Sequence, residues 1–95
     1  MGDIPAAKRN LKRAVDLDSM NGLFHAQLAY AHFSAGEFDS SVAEYQKAVL
    51  YDEENVQYRL NLALAYKKLD LTPMVVATYA DAVRVMHPEN IAYVY

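Results

Sequence analysis

Two histidines are the first candidates for chemistry in this sequence of 95 residues. His25 and His32 stand seven positions apart, which is about two turns of a helix, so both could face one side and bind a metal ion with a carboxylate. No third ligand stands at a suitable spacing. Both histidines also occupy structural positions of an internal repeat, so we interpret them as core or partly buried residues and predict no metal site.

The acidic run at residues 52–54 is the second candidate, because paired carboxylates serve glycosidases and hard-cation sites. The run stands between two helical patterns, which places it in a loop. The sequence has no EF-hand spacing and no glycine-rich phosphate loop, and no Ser-His-Asp arrangement stands out from what composition produces by chance. We therefore predict that the protein is not an enzyme and uses no cofactor.

Composition and charge limit the classes of partner that the protein can bind. Apolar residues make up 54% of the chain and charged residues 22%, as in folded soluble proteins. The net charge of −3 argues against a nucleic-acid partner, which would need a surplus of lysine and arginine. Apolar runs of only a few residues predict no membrane insertion, and no secretory signal opens the chain. The compartment is unknown, with the cytoplasm as the default.

Four basic residues cluster near the start of the chain. Lys8, Arg9, Lys12 and Arg13 form two i,i+4 pairs on the first predicted helix. We interpret them as a solvated outer face, and the alternative is a docking patch for an acidic partner.

An internal repeat organises the chain. Ala14, Ala48 and Ala82 stand in step, and each is followed by valine. Their period of about 34 residues is typical of stacked helix–turn–helix units. Two helices cross closely only where a small side chain removes the bulk between their axes. The alanines predicted to make these close crossings are Ala29, Ala48, Ala63 and Ala82, and the larger residues predicted to fill the core beside them are Leu28, Tyr45, Leu62, Tyr66 and Tyr79.

The repeated residues also follow a known signature, W-x2-L-G-x2-Y in the first helix of a unit and A-x3-F in the second. The two copies read His25-x2-Leu28-Ala29-x2-His32 with Ser41-x3-Tyr45-x2-Ala48, and Arg59-x2-Leu62-Ala63-x2-Tyr66 with Val75-x3-Tyr79-x2-Ala82. On these motifs the sequence resembles the tetratricopeptide-repeat (TPR) family. The resemblance implies an all-α fold, a right-handed α-solenoid of TPR helix–turn–helix units with two full repeats and half units at both ends.

Local signals set the expected bounds of the helices. Pro5 suits a first helical turn, Asp39 can cap the helix that follows Gly36, and Thr72 with Pro73 reads as an N-cap and first helical position. The predicted helices cover residues 5–17, 22–35, 39–51, 55–69 and 73–86, and a further helix begins near residue 90. The chain is then a single TPR domain, 1–95, in which 1–20 is the second helix of a truncated repeat, 21–54 and 55–89 are full repeats, and 90–95 starts a truncated helix.

Neither end shows the polar capping helix with which solenoids normally finish. We expect the sequence to be an excerpt from a longer array. In the alternative, the open ends at Leu11 and at residues 91–95 dock onto another copy, which would make a homo-oligomer and a self-assembling structural scaffold.

The resemblance places the ligand on the concave face, which the first helix of each unit lines. We predict a protein–protein interaction module, such as an adaptor, that binds a peptide or helical segment of a partner. The predicted peptide-binding residues are Leu23, Gln27, Tyr30, Phe33, Gln57, Leu60, Asn61, Leu64, Lys67 and Lys68. A chaperone-tail clamp is not expected, because Ala26 and Tyr30 stand where that clamp needs Lys and Asn. In the alternative, these residues pack against neighbouring repeats.

Overall fold

Five consecutive helices make up the part of the chain that the structure, a computed structural model, describes, residues 4–86. They are α1 (Ile4–Leu17), α2 (Gly22–Ser34), α3 (Phe38–Tyr51), α4 (Val56–Lys68) and α5 (Thr72–Met86). Every predicted helix agrees with an observed one to within one residue at each end. The helix expected near residue 90, and with it His87, lies outside the described residues. None of the five helices has the length and apolar character needed to cross a bilayer.

The helices that open each full unit begin with the same cap. The side-chain oxygen of Asn21 accepts from Phe24 N at 3.2 Å, and that of Asn55 accepts from Tyr58 N at 3.1 Å. The two asparagines occupy equivalent positions of successive repeats, so the repeat extends to individual hydrogen bonds. The predicted cap at Asp39 is wrong, because α3 begins one residue earlier and Asp39 lies in its first turn. Thr72 is likewise the first residue of α5.

The turns that end α2 and α4 also repeat. Gly36 has φ of 78° and Asp70 has φ of 56°, and the two residues are again equivalent in successive repeats. In both turns the next amide returns to the helix: Glu37 N donates to His32 O at 2.9 Å, and Leu71 N donates to Tyr66 O at 3.1 Å. The left-handed conformation is natural for glycine, whereas a side chain at the same position is strained.

Replacing Asp70 with glycine should therefore stabilise the protein, by about 0.5 kcal/mol, because relief of backbone strain exceeds the added freedom of the unfolded chain. Urea denaturation followed by circular dichroism would measure the difference. The reverse change at the matching position, Gly36→Asp, should lower stability by a similar amount, since a side chain there meets no neighbour and adds only strain. A destabilised Asp70→Gly variant would contradict this reading of the turn.

Small residues bring the helices close together, as the sequence predicts. Ala29, Ala48 and Ala63 are 0% exposed, which confirms their predicted place at the helix crossings. Where α2 meets α3, the buried Ser41 hydroxyl donates to the carbonyl of Ala29 at 2.9 Å. At the start of α2, a Cβ added to Gly22 would lie 3.1 Å from the carbonyl oxygen of Ala48, a tight contact that glycine avoids.

The larger core residues behave as expected in four positions of five. Leu28, Tyr45, Leu62 and Tyr66 are buried, but Tyr79 is 44% exposed, so its prediction as a core residue is wrong. Tyr45 belongs to a core cluster with Leu62 and Tyr66 of α4, which cover it from the next unit. The chain that follows α5 lies outside the described residues, and α5 packs mainly against α4, so nothing described covers Tyr79 in this way.

The two histidines are packing residues. His25 is 2% exposed, its ring stacks on that of Tyr51 with centroids 5.5 Å apart, and its nitrogens contact Glu44 Oε1 at 2.8 Å and the Ser19 carbonyl at 2.7 Å. His32 is half-buried and donates from Nδ1 to Glu37 at 2.9 Å. Both positions agree with the structural interpretation. Within residues 4–86, no group of three metal-binding side chains is close enough to hold an ion.

Candidate peptide-binding surface

A mostly apolar cavity of about 600 Å³ lies between α1 and α2, with one residue each of α3 and α4 in its lining. Its size is within the range of pockets that take small ligands or the side chains of a bound peptide. The lining residues are Ala7, Asn10, Leu11, Ala26, Gln27, Tyr30, Ala31, Ser34, Tyr45 and Asn61. We call this site the inner cavity.

Helix α2 provides one side of the inner cavity because Gln27, Tyr30 and Ser34 recur at helical spacing on one face. Tyr30 is 64% exposed, so most of its ring surface is available to a ligand. Alanines at positions 7, 26 and 31 leave the space open between the larger side chains. The inner cavity can therefore bury an apolar side chain of a partner against an aromatic residue.

Polar groups stand at the border of the inner cavity. Asn61 of α4 accepts from Gln57 Nε2 at 3.1 Å through its side-chain oxygen, which orients the amide. Within the described part of the chain, the side chains of Asn10, Gln27 and Ser34 make no hydrogen bond to protein groups. These groups can donate to and accept from a peptide backbone, so the arrangement combines an apolar site with register-fixing polar contacts.

The structure gathers part of the predicted surface in the inner cavity and leaves the rest outside it. Gln27, Tyr30 and Asn61 line the inner cavity. The predicted residues that do not line it are Leu23, Phe33, Gln57, Leu60, Leu64, Lys67 and Lys68. Phe33 is half-buried, packs against the core cluster and meets the ring of Phe38 in an edge-on contact at 5.2 Å. It is therefore a packing residue between α2 and α3, and its inclusion in an open groove does not fit this position.

Sequence reasoning missed the contribution of α1. Ala7, Asn10 and Leu11 form a wall of the inner cavity, although the prediction took ligand contacts from the first helix of each unit only. The signal was present in the repeat, because Leu11 is in register with Tyr45, and both residues line the inner cavity. Helix α1, which belongs to the preceding half unit and packs against α2, therefore forms the wall of the inner cavity opposite α2.

Tyr45 is the residue of this site whose ionisation is most affected by its surroundings. Burial raises the pKa of the Tyr45 phenol to about 12, and the nearby Tyr30 adds to the effect. Burial also raises the pKa of Tyr58, with a further contribution from Asp52. A buried phenol resists ionisation because the charged form loses its hydration.

Stability should therefore fall as the pH rises from about 10 to about 12, because the unfolded chain releases the Tyr45 proton more readily than the folded chain. The raised pKa contributes fully below about pH 10, and its loss is on the order of 2 kcal/mol across this window. Thermal melts from pH 9 upward would show that the melting temperature falls less steeply with pH in Tyr45→Phe than in the unchanged protein. The matched control is Tyr79→Phe, the exposed equivalent one repeat later; an equal effect of both changes would contradict the assignment.

Comparison with known proteins finds a TPR repeat inside the chain and solved structures with the same fold. The family model for the TPR repeat matches residues 29–70. Two crystal structures of MamA are similar to this chain, each with 22% sequence identity and a TM-score of 0.87. The first similarity covers 96% of this chain and 49% of the MamA chain. The second covers 92% of this chain and 51% of the MamA chain. The chain thus spans about half the length of these structures. No curated protein sequence matches it. The resemblance seen in the motifs and the all-α solenoid fold are confirmed.

Proposed function

We propose, from the fact that residues 29–70 belong to the TPR repeat family, that the protein binds a peptide or helical segment of a partner protein in the inner cavity. Repeats of this kind typically serve as non-catalytic interaction modules or scaffolds. The observation that carries the proposal is the open, largely apolar inner cavity beside the exposed ring of Tyr30. In this function the protein is an adaptor that holds a partner without transforming it.

The chemistry of the site indicates what the segment carries. An apolar side chain of the ligand would enter between Leu11 and Tyr30, and the amides of Gln27 and Asn61 would fix its register. Beyond the inner cavity, Leu23 and Leu64 are 51% and 41% exposed and would extend the apolar contact along α2 and α4. Other residues of the proposed extension are Gln57, Leu60, Lys67 and Lys68. The partner segment is therefore amphipathic, with one aliphatic or aromatic anchor.

The proposal treats 21–54 and 55–89 as two full repeats, with 1–20 and 90–95 as parts of further units. Under this division the inner cavity lies where the half unit meets the first full repeat. The wall from α1 then belongs to a unit that precedes the repeats matched in sequence. Ligand specificity would differ between arrays that share α2 and α4 but differ in this preceding helix.

Peptide selection tests the proposal while the partner is unidentified. A displayed random-peptide library is selected on the immobilised chain, and the affinities of the enriched peptides are measured by fluorescence anisotropy. We expect Tyr30→Glu to weaken binding at least about tenfold, because it places a charge at the apolar site. The matched control is Leu50→Glu, since Leu50 is 61% exposed on α3 and lines neither the inner cavity nor its extension; it should change affinity less than about twofold.

Leu64→Glu then measures the extent of the surface. A loss comparable to that of Tyr30→Glu would support contact along the whole extension, and no loss would restrict the ligand to the inner cavity. If Tyr30→Glu and Leu64→Glu both bind like the unchanged protein, the surface assignment is wrong.

The alternative function is a self-assembling scaffold that pairs through the ends of the stack. The apolar side of α5 favours it, because Val76, Tyr79 and Met86 are 63%, 44% and 49% exposed. Light scattering on a sizing column at increasing concentrations would distinguish the two. A rising mass that Val76→Glu or deletion of residues 90–95 abolishes would support assembly, and a constant monomer mass would exclude it.

A further inference from the structure

A second cavity, of about 530 Å³, lies between α1 and α3 and is separate from the inner cavity. Its α1 wall carries Lys8, Arg9 and Lys12, Leu28 of α2 lies at its base, and Ser40 and Ala43 of α3 form the opposite wall. The two cavities share no lining residue. We call this second site the basic groove.

The positive charge of the basic groove is only partly compensated. Among the described residues, Arg9 and Lys12 have no ion-pair partner, although the whole chain has a net charge of −3. The carboxylate that lines the groove, Glu44, already accepts from His25 and from Lys47, at 2.8 and 3.3 Å. Three of the nine lysines and arginines of this acidic chain thus line one groove.

We infer that the basic groove binds an acidic segment of a partner protein, with glutamates or aspartates on the α1 cations and an aliphatic side chain over Leu28. Charge complementarity supports an anionic ligand, since arginine and lysine form charge-assisted hydrogen bonds with carboxylates. The apolar base and the single basic wall fit one chain with mixed side chains. A nucleic-acid duplex or an anionic membrane would instead call for a broad basic face on a protein without this overall negative charge.

Glu37 acts as an internal competitor at one end of the groove. Its Oε1 accepts from Lys8 Nζ at 2.7 Å and from His32 Nδ1 at 2.9 Å, so Lys8 is engaged when the groove is empty. These two hydrogen bonds, that of Lys8 foremost, hold the pKa of the exposed Glu37 carboxyl below its usual value. A carboxylate of the ligand can compete with Glu37 for Lys8, because the Glu37 side chain is 45% exposed and an ion pair at the surface is weak.

A short fluorescein-labelled peptide in which glutamates flank one leucine is the probe, titrated with the full chain at low ionic strength and followed by anisotropy. We expect salt-sensitive binding that Arg9→Glu weakens at least about fivefold. Arg13→Glu is the matched control, because Arg13 is the same residue type on the same helix, is exposed and does not line the groove; it should change affinity less than about twofold.

Two variants away from the α1 cations sharpen the test. Ala43→Glu places a negative charge on the opposite wall and should weaken binding, whereas Ala43→Gln should not. Glu37→Gln frees Lys8 and should strengthen binding, by about threefold. Circular dichroism checks that each variant keeps its helices. Tyr30→Glu should leave this peptide unaffected, so that failure here and failure of the inner cavity remain distinguishable.

Three results would overturn the inference. Arg13→Glu could weaken binding as much as Arg9→Glu, which would mean that affinity depends on the net charge of the protein and not on the basic groove. The peptide could fail to bind at low ionic strength. An oligonucleotide or vesicles containing phosphatidylserine could bind where the peptide does not, and Arg9→Glu could abolish that binding. The ligand of the basic groove would then not be an acidic protein segment.

Discussion

Replacing Ala48 with leucine is expected to lower the free energy of unfolding by about 3 kcal/mol, among the largest effects of any single change in this chain. Ala48 is 0% exposed and belongs to the core cluster that joins α2, α3 and α4. Its backbone also lies close to α2, since its carbonyl oxygen is 3.1 Å from where a Cβ on Gly22 would stand. The three added carbons would have to push α2 away from α3.

Chemical denaturation at constant pH would measure this loss, with Ala43→Leu as the control on the same helix. Ala43 is exposed, so the same enlargement there should change stability by less than about 0.5 kcal/mol. Equal destabilisation by the two changes would mean that leucine itself, and not the close helix crossing, is responsible. A stable Ala48→Leu variant would show that the crossing can widen.

Replacing His25 with alanine is expected to cost about 3 kcal/mol, because two hydrogen bonds and a ring stack are lost together in a buried site. The ring joins the loop before α2, through the Ser19 carbonyl, to α3, through Glu44 and Tyr51. Its two contacts are with a carboxylate oxygen and a backbone carbonyl oxygen, and both are lost with the ring. Its removal leaves the mostly buried Glu44 with the more distant contact to Lys47.

The second repeat shows which part of this arrangement is general. Arg59 is the equivalent of His25, and its Nη2 donates at 2.6 Å to the carbonyl of Glu53, a residue equivalent to Ser19. The contact with the loop carbonyl thus recurs with a different donor. The contact with a carboxylate does not recur, because Thr78 stands in the place of Glu44 and donates to Met74 O at 2.7 Å. Arg59 Nε accordingly lacks a partner in the described region.

His32→Ala is the matched control for His25→Ala, since it removes a half-buried histidine with one side-chain contact, to an exposed glutamate. It should cost less than about 1 kcal/mol. Thermal and urea denaturation would rank the two variants. Similar losses would contradict the bridging role of His25, and a double-mutant cycle with Glu44→Gln would isolate the energy of that pair.

The sequence alone determined the helices and their close crossings. The caps at Asn21 and Asn55 and the turn at Gly36 act over a few residues, so their chemistry can be read locally. The alanine crossings could be predicted because each unit repeats the packing of the unit before it. The errors at the start of α3 and α5 were one residue in size, since several polar residues compete there for the cap position.

Only the tertiary structure decided which surfaces are open. Phe33 and Tyr79 look alike as apolar positions of a helical stripe, yet Phe33 packs on Phe38, while Tyr79 has no described helix to cover it. The wall of the inner cavity from α1, the basic groove and the Glu37 contact with Lys8 all join residues from different helices. Local propensity and periodicity place a residue on a face of its own helix, but only the packing of the helices against one another determines what that face meets.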